Sequence, residues 1–312
     1  EDIEELCRIN SVKGSYRIGK PYGEGCSEAL RTALHIAECY DFSINNYDNY
    51  VGTVDMNNKD AQLDILAHLD IVPAGDGWTV TKPFEPVVKD GKIDLSGVGL
   101  SEEEIAKLGQ IYIVACGSAY HVGVAAQYVI EELAQIPVRV ELASEFRYRR
   151  LLFAPNSLVI IVSQSGETAD SLAALREAKA HGVKTLAIVN VVGSTIAREA
   201  DHVFYTLAGP EIAVATTKAY STQLIASYLL ATEFARVRGV IDEDRTAELL
   251  AELQTIPEKI EKLLEDKERI QWFAAKQMNA QDMFFIGRGL DYAVSMEGSL
   301  KMKEISYIHS EA

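Results

Sequence analysis

The sequence predicts an α/β fold, a five-stranded parallel sheet flanked by helices and preceded by a smaller, partial α/β segment. Two observations carry that expectation. From Ile111 onward, short apolar β-branched runs alternate with helical stretches, and strands covered on both faces by crossover helices read as continuous apolar runs. The loops after the first and third runs, Cys116 to Ser118 and Ser163 to Thr168, are small and hydroxyl-rich. In a sheet of order 2-1-3-4-5 these loops flank the switch point where ligands bind beyond the strand ends.

Taken in order, Glu1 to Ala37 places apolar residues at helical spacing around an interruption at Gly14 to Gly25, which predicts two helices and a loop. Tyr50 to Met56 reads as a strand, and Leu63 to Ala67 as a second short one ending in His68, Leu69 and Asp70. Asp94 to Gln110 is polar, then helical, with Ser101 as N-cap before Glu102, Glu103 and Glu104. The sheet strands are Ile111–Ala115, Val138–Leu142, Leu158–Val162, Thr185–Val189 and His202–Thr206, with helices near Tyr120–Ala134, Glu167–His181 and Thr195–Ala200. Thr216–Arg238 is a long helix, Glu243–Met278 a charged helical stretch broken near Pro257, and Met283–Gly287 a strand followed by a helix through Ile308. The implied organisation is a segment 1–93, a linker 94–110, a domain 111–240, a connector 241–278 and the start of a further domain at 279–312.

The chain of 312 residues carries a formal net charge of -16, which argues against nucleic acid and anionic membrane surfaces as partners. Small anions remain compatible, because local dipoles override a global charge. The four cysteines, Cys7, Cys26, Cys39 and Cys116, form no CxxC pair, so reduced thiols and a cytoplasmic location are expected. The start at Glu1 rather than Met suggests a trimmed or partial sequence.

Ser163 to Thr168 follows the run LVIIV directly, so a buried strand delivers hydroxyls and free amides to a helix start. Anion binding and ordinary N-capping both fit that segment alone. His68 and Asp70, two apart on one face, could reach one metal ion, although an HxD pair alone says little.

SVKG at Ser11–Gly14, PYGEG at Pro21–Gly25, ILAHLDIVPAGDGW at Ile65–Trp78 and PFEPVVKDGKI at Pro83–Ile93 resemble the N-terminal part of the peptidase V type zinc dipeptidases, within the aminoacylase and carboxypeptidase family. The resemblance implies that His68 is a zinc ligand with Asp70 beside it. The bridging aspartate, Glu-Glu pair and further ligands that such a two-metal site requires do not follow, so a zinc site and peptidase activity are not expected.

ACGSAYHVG at Ala115–Gly123, ASEFRYR at Ala143–Arg149, VSQSGETADSLAALREAK at Val162–Lys179, AIVNVVGSTIAREAD at Ala187–Asp201 and AGPEIAVATTKAYSTQ at Ala208–Gln223 resemble the sugar-isomerase (SIS) half of the glucosamine-6-phosphate synthases. FFIGRGLDYAVSMEGSLKMKEISYIHSEA, from Phe284 to the end, resembles the opening of that family's second SIS lobe. The resemblance implies that Ser163, Gln164, Ser165 and Thr168 hold the phosphate of fructose 6-phosphate or glucosamine 6-phosphate. Cys116, Gly117 and Ser118 would line the sugar, and Val214 and Thr216 would close the pocket. Glu304 would be the base moving a proton between C1 and C2, with Lys301 one turn earlier as a supporting cation. No cofactor is implied for this half, and dimerisation through it is.

The family's glutaminase domain, its ring-opening histidine and its C-terminal lysine tail have no counterpart in this sequence. Ligand binding is therefore expected, complete isomerisation and amination are not, and the alternatives are a sugar-phosphate-sensing module without chemistry and a zinc dipeptidase of the aminoacylase and carboxypeptidase family. The two resemblances meet within DGKI, Asp90–Ile93, which suggests a chimera.

Overall fold

The computed structural model describes residues 2–55, 98–209, 211, 213 and 215–312. The chain divides into two units, Glu1–Ile93 and Asp94–Ala312.

In the first unit, α1 (Asp2–Cys7) and α2 (Glu24–Cys39) are the two expected helices. They are followed by an antiparallel hairpin of β1 (Ser43–Tyr47) and β2 (Val51–Asp55), paired from Ser43 with Asp55 to Tyr47 with Val51. The sequence reading finds β2 and misses β1, whose SINNY has one aliphatic side chain and no alternation. Its partner is reached through Asp48 and Asn49, both at positive φ, a backbone state that Asn and Asp tolerate better than most residues. The predicted strand Leu63–Ala67 lies outside the described residues.

The second unit opens with α3 (Glu102–Lys107), started by a capping box. The Ser101 hydroxyl accepts from the Glu104 amide at 3.3 Å, and the Ser101 amide donates to the Glu104 carboxylate at 3.0 Å. The sheet contains β3 (Gln110–Ala115), β4 (Val138–Leu142), β5 (Ser157–Ser163), β6 (Lys184–Val189) and β7 (His202–Tyr205). All pairings are parallel, in the spatial order β4-β3-β5-β6-β7, so the assumed 2-1-3-4-5 order is the observed one. The crossovers run through α4 (Ser118–Ala134), α5 (Ala143–Phe146), α6 (Ala169–Ala180) and α7 (Thr195–Glu199), and α8 (Lys218–Val237) follows β7.

The continuous apolar strands are explained by two cores, one on each face. Alternate residues Ile111, Ile113, Leu158, Ile160 and Ile188 pack with Ile130 of α4 and Phe234 of α8. The intervening Tyr112, Val114, Val159, Ile161 and Val189 pack with Phe146, Leu175 and Ile196 from α5, α6 and α7. Every residue of β5 is buried, which makes it the central strand.

After α8 come α9 (Glu243–Gln254), α10 (Ile256–Leu264) and α11 (Lys267–Gln277). The chain breaks at Thr255, just before Pro257, as expected, and again at Glu265–Asp266, which the sequence reading does not foresee. Then β8 (Asp282–Phe284) pairs in parallel with β9 (His309–Glu311), and between them α12 (Leu290–Ser306) packs against α4. No helix of the described residues is long and apolar enough to cross a membrane.

Candidate functional site

A cleft of about 220 Å³ opens where the ends of β3 and β5 diverge. That is smaller than the roughly 300–1,000 Å³ of sites for drug-sized ligands, and suits a compact polar molecule. From the end of β3 it is lined by Cys116, Ser118 and Ala119. From β5 and the turn into α6 come Val162, Ser163, Gln164, Ser165, Thr168 and Ser171. Thr216 and Gln223 reach it from the start of α8, and Lys301 and Glu304 from α12.

Hydrogen bonds within the turn after β5 set its shape. Ser163 Oγ accepts from the Gly166 amide at 3.1 Å and lies 3.1 Å from Thr168 Oγ1. Ser165 Oγ accepts from the Glu167 amide at 3.2 Å. These hydroxyls therefore bind amides of the turn rather than of the helix, and Thr168, the N-cap of α6, makes no side-chain capping bond. Capping thus does not account for the cluster, and the positive end of α6 faces the cleft.

Neighbouring loops hold the turn from behind. The amides of Asn190 and Ile196 donate to the carbonyls of Gln164 and Gly166, at 3.1 and 3.0 Å. The Glu167 carboxylate accepts from the Thr195 amide at 2.6 Å, and that bond, with help from the Thr195 hydroxyl, keeps Glu167 below the usual carboxylate range. Asn190 also donates to Gly209 O at 2.7 Å and accepts from Thr206 Oγ1 at 3.1 Å and the Ala208 amide at 2.7 Å. It links the turn to the chain that runs on toward α8.

Thr216 is placed by Glu211. That carboxylate accepts from the Thr217 and Ala219 amides at 3.1 Å each and from Thr216 Oγ1 at 3.2 Å. The Ala219 and Thr217 amides hold Glu211 below its ordinary range, so it stays a charged cap on α8. On α12, Lys301 forms an ion pair with Glu304 at the lip of the cleft. Cys116 is half-buried and accepts a weak contact from Ser171 Oγ at 3.9 Å.

Of the residues singled out from the sequence, Cys116, Ser118, Ser163, Gln164, Ser165, Thr168, Thr216, Lys301 and Glu304 meet around this one cleft. Gly117 is not among the lining residues and serves as the backbone N-cap of α4. Val214, His68 and Asp70 lie outside the described residues. Among the described residues no group of His, Cys, Asp and Glu could hold a metal ion. Ser171 and Gln223, which line the cleft, and Asn190 and Glu211, which organise it, are not among the residues expected from the sequence. The available signal was spacing for one of them: Ser171 stands three residues after Thr168, the N-cap of α6, and so falls on the same side of that helix.

Fold and cleft together define a doubly wound α/β domain with a hydroxyl-lined cleft at its switch point. Residues 104–233 match the SIS domain family, so the sheet is a SIS fold. The chain is 56% identical over 226 residues to the glutamine–fructose-6-phosphate aminotransferase (isomerizing) of Caldanaerobacter subterraneus, covering 72% of this chain and 37% of that protein. It is 57% identical over 224 residues to the protein of the same name from Clostridium tetani, covering 72% and 36%. Among solved structures it resembles the C-terminal domain of glucosamine-fructose-6-phosphate aminotransferase from Francisella tularensis, with a TM-score of 0.69 and 40% identity over 72% of this chain and 63% of that one. The chain thus spans little more than a third of the length of these curated relatives.

Proposed function

We propose that the cleft binds a hexose 6-phosphate, fructose 6-phosphate or glucosamine 6-phosphate, with Ser163, Gln164, Ser165 and Thr168 around its phosphate. Ser118, Cys116 and Thr216 would contact the sugar. The convergence of the hydroxyl turn with the Lys301 and Glu304 pair on one cleft carries this reading. In a chain of net charge -16, attraction for the anion has to be local, and the start of α6 with Lys301 supplies it.

The chemistry these residues suit is proton transfer between C1 and C2 of the open-chain sugar. The carbonyl acidifies the neighbouring C–H, and one carboxylate, Glu304, can take that proton and return it to the adjacent carbon. Lys301 would steady the negative charge that builds on the sugar oxygen. A non-catalytic sensing module is the second reading, favoured by one observation: in the free cleft the Glu304 carboxylate is already engaged by Lys301.

Calorimetric titration with fructose 6-phosphate tests binding, and uptake of deuterium from heavy water at C1 and C2 tests chemistry. Replacing Ser163 and Ser165 together by Ala should weaken binding by roughly 1 kcal/mol for each hydroxyl bond lost. Glu304→Gln should leave binding in place and lower exchange by about 10²–10⁴-fold, the usual contribution of general acid–base catalysis. Heatless titration at millimolar sugar phosphate would remove the proposal, and binding without exchange would select the sensing module. We also propose self-association through the SIS domain, which sedimentation velocity would test.

A further inference from the structure

Behind the cleft, Lys301 and Glu304 continue into a charged chain whose buried end, Glu297 and His121, the proposed chemistry does not use. Glu297, Lys301 and Glu304 sit at positions i, i+4 and i+7 of α12 and share one helix face. Glu297 is 6% exposed, buried more deeply than any other acidic residue of the described core. Its Oε2 lies 2.8 Å from His121 Nδ1 on α4, and its Oε1 lies 3.5 Å from Lys301 Nζ. Lys301 in turn pairs with Glu304 at the cleft. Side-chain exposure rises along this line, from 8% at Glu297 through 20% at Lys301 to 35% at Glu304. The path therefore runs from a buried anchor to a solvent-facing end.

The other titratable groups facing Glu297 come from α8. Tyr220 has its hydroxyl buried without a hydrogen bond, as does Glu297 Oε1. Burial, and then the charge of Glu297, push the Tyr220 hydroxyl up to about 12, with Tyr228 a smaller contributor, so Tyr220 stays neutral beside the carboxylate. The only cation within ion-pair reach of Glu297 Oε1 among the described residues is Lys301. With Glu297 as a carboxylate, which only accepts, the donor at this 2.8 Å contact is the Nδ1–H tautomer of His121.

Resting on the cleft's reading as a sugar-phosphate site, we infer that His121 is a positioning residue for the proton-transfer pair. Its Nδ1–H fixes the orientation of Glu297, so that Oε1 holds the Lys301 ammonium between two carboxylates. Lys301 is then shared, and Glu304 keeps part of its accepting capacity for the sugar proton. Without the His121 donor, the buried Glu297 carboxylate loses the partner that orients it, and the sharing of Lys301 between Glu297 and Glu304 shifts. His121 is not among the lining residues of the cleft, so its effect reaches the ligand through the groups it positions.

The test uses the whole chain with His121→Phe, His121→Asn and Glu297→Gln. Three quantities are read: affinity for fructose 6-phosphate, deuterium exchange at C1 and C2, and the rate at which Lys301 is reductively methylated, followed by peptide mass spectrometry. His121→Phe and Glu297→Gln should bind the sugar within about two-fold of the parent and exchange about a hundred-fold more slowly, as small misplacements of catalytic groups do. Both should change the methylation rate of Lys301 several-fold. His121→Asn retains an N–H near the position of Nδ1 and should restore all three quantities, which a packing role for the imidazole would not. Parent-like exchange in His121→Phe, or a His121→Asn protein as impaired as His121→Phe, overturns the inference. If the parent neither binds nor exchanges the sugar, the proposed function fails, and Lys301 reactivity still decides here: equal rates in all four proteins reject the positioning role. Should His121→Phe not fold, Glu297→Gln and His121→Asn give the same decision.

Discussion

Two helices in the second unit begin alike and end in different surroundings. Both α4 and α12 are 17 residues long, and each follows a glycine N-cap that makes no side-chain capping bond. Gly117 has φ 57° and ψ -136°, and Gly289 has φ 59° and ψ -129°. A methyl group added at either would meet nothing within 4 Å, so glycine is required at both by backbone conformation and not by crowding. Yet α4 buries Val122, Gly123, Ala125, Ala126, Ile130 and Ala134 between the sheet and α8, whereas α12 buries only Ala293, Glu297 and Ser299. Local sequence sets how a helix starts, and the number of packed neighbours sets how much it buries. The five-stranded sheet supplies those neighbours to α4, while α12 has a two-stranded sheet and α4 itself.

The sharpest way to break this comparison is through side chains of equal chemistry in unequal places. Ile130 on α4 is 1% exposed, and Val294 on α12 is 54% exposed. Ile130→Ala should destabilise by about 2–5 kcal/mol, the usual cost of deleting buried methyls and leaving a cavity. Val294→Ala should fall within about 0.5 kcal/mol of the parent, because it removes little buried surface. Urea unfolding of both variants measures the contrast. A Val294→Ala loss comparable to that of Ile130→Ala would mean that α12 is packed in solution against something beyond the described contacts.

The glycines test the likeness instead of the difference. Gly117→Ala and Gly289→Ala each force an L side chain into a backbone state it rarely adopts, at an expected cost of about 1–3 kcal/mol apiece. Similar losses would confirm that conformation alone requires the glycine. A loss confined to Gly117 would show that α12 can start one residue later without consequence. Gly117→Ala should also weaken sugar-phosphate binding, because Ser118 and Ala119 enter the cleft from the next residues.

The same contrast governs what could be read from sequence. The inner strands β3, β5 and β6 were legible because both faces are buried, so each is a nearly uninterrupted apolar run, whereas the edge strands β4 (VRVEL) and β7 (HVFY) are only partly buried and carry a weaker apolar signal. The edge elements β1 and β9, SINNY and HSE, were not legible, since their pairing depends on turns and neighbours and not on their own hydrophobicity. The hydroxyl turn at Ser163–Thr168 was legible because it follows a buried strand directly. Asn190 and Glu211 were not, although both organise the cleft. Their roles depend on which amides the fold brings to their oxygens, and no spacing within the sequence encodes that for Asn190. His121 and Glu297 are 176 residues apart, so only the packing of α12 on α4 reveals their contact.

A smaller contrast concerns α3, where a short helix relies on its cap because it has few neighbours. Ile105 is its one buried residue, so the Ser101 and Glu104 box carries a large share of its ordering. Ser101→Ala should cost about 1 kcal/mol at neutral pH. The Ser101 amide and hydroxyl, followed by Lys184, hold the Glu104 carboxyl down from 4.5 to about 2. A depressed folded value means that Glu104's contribution is present above its unfolded value near 4.5 and is lost as pH falls toward about 2. The other half of the box, from the Glu104 amide to the Ser101 hydroxyl, does not depend on that protonation. The gap between parent and Ser101→Ala should therefore narrow on acidification without closing, as read from unfolding midpoints at a series of pH values between these limits. Ser101→Ala keeps the Ser101 amide's bond to the Glu104 carboxylate and loses only the hydroxyl's, so a gap that stays constant with pH would show that the hydroxyl-to-carboxylate bond contributes nothing to the helix it begins.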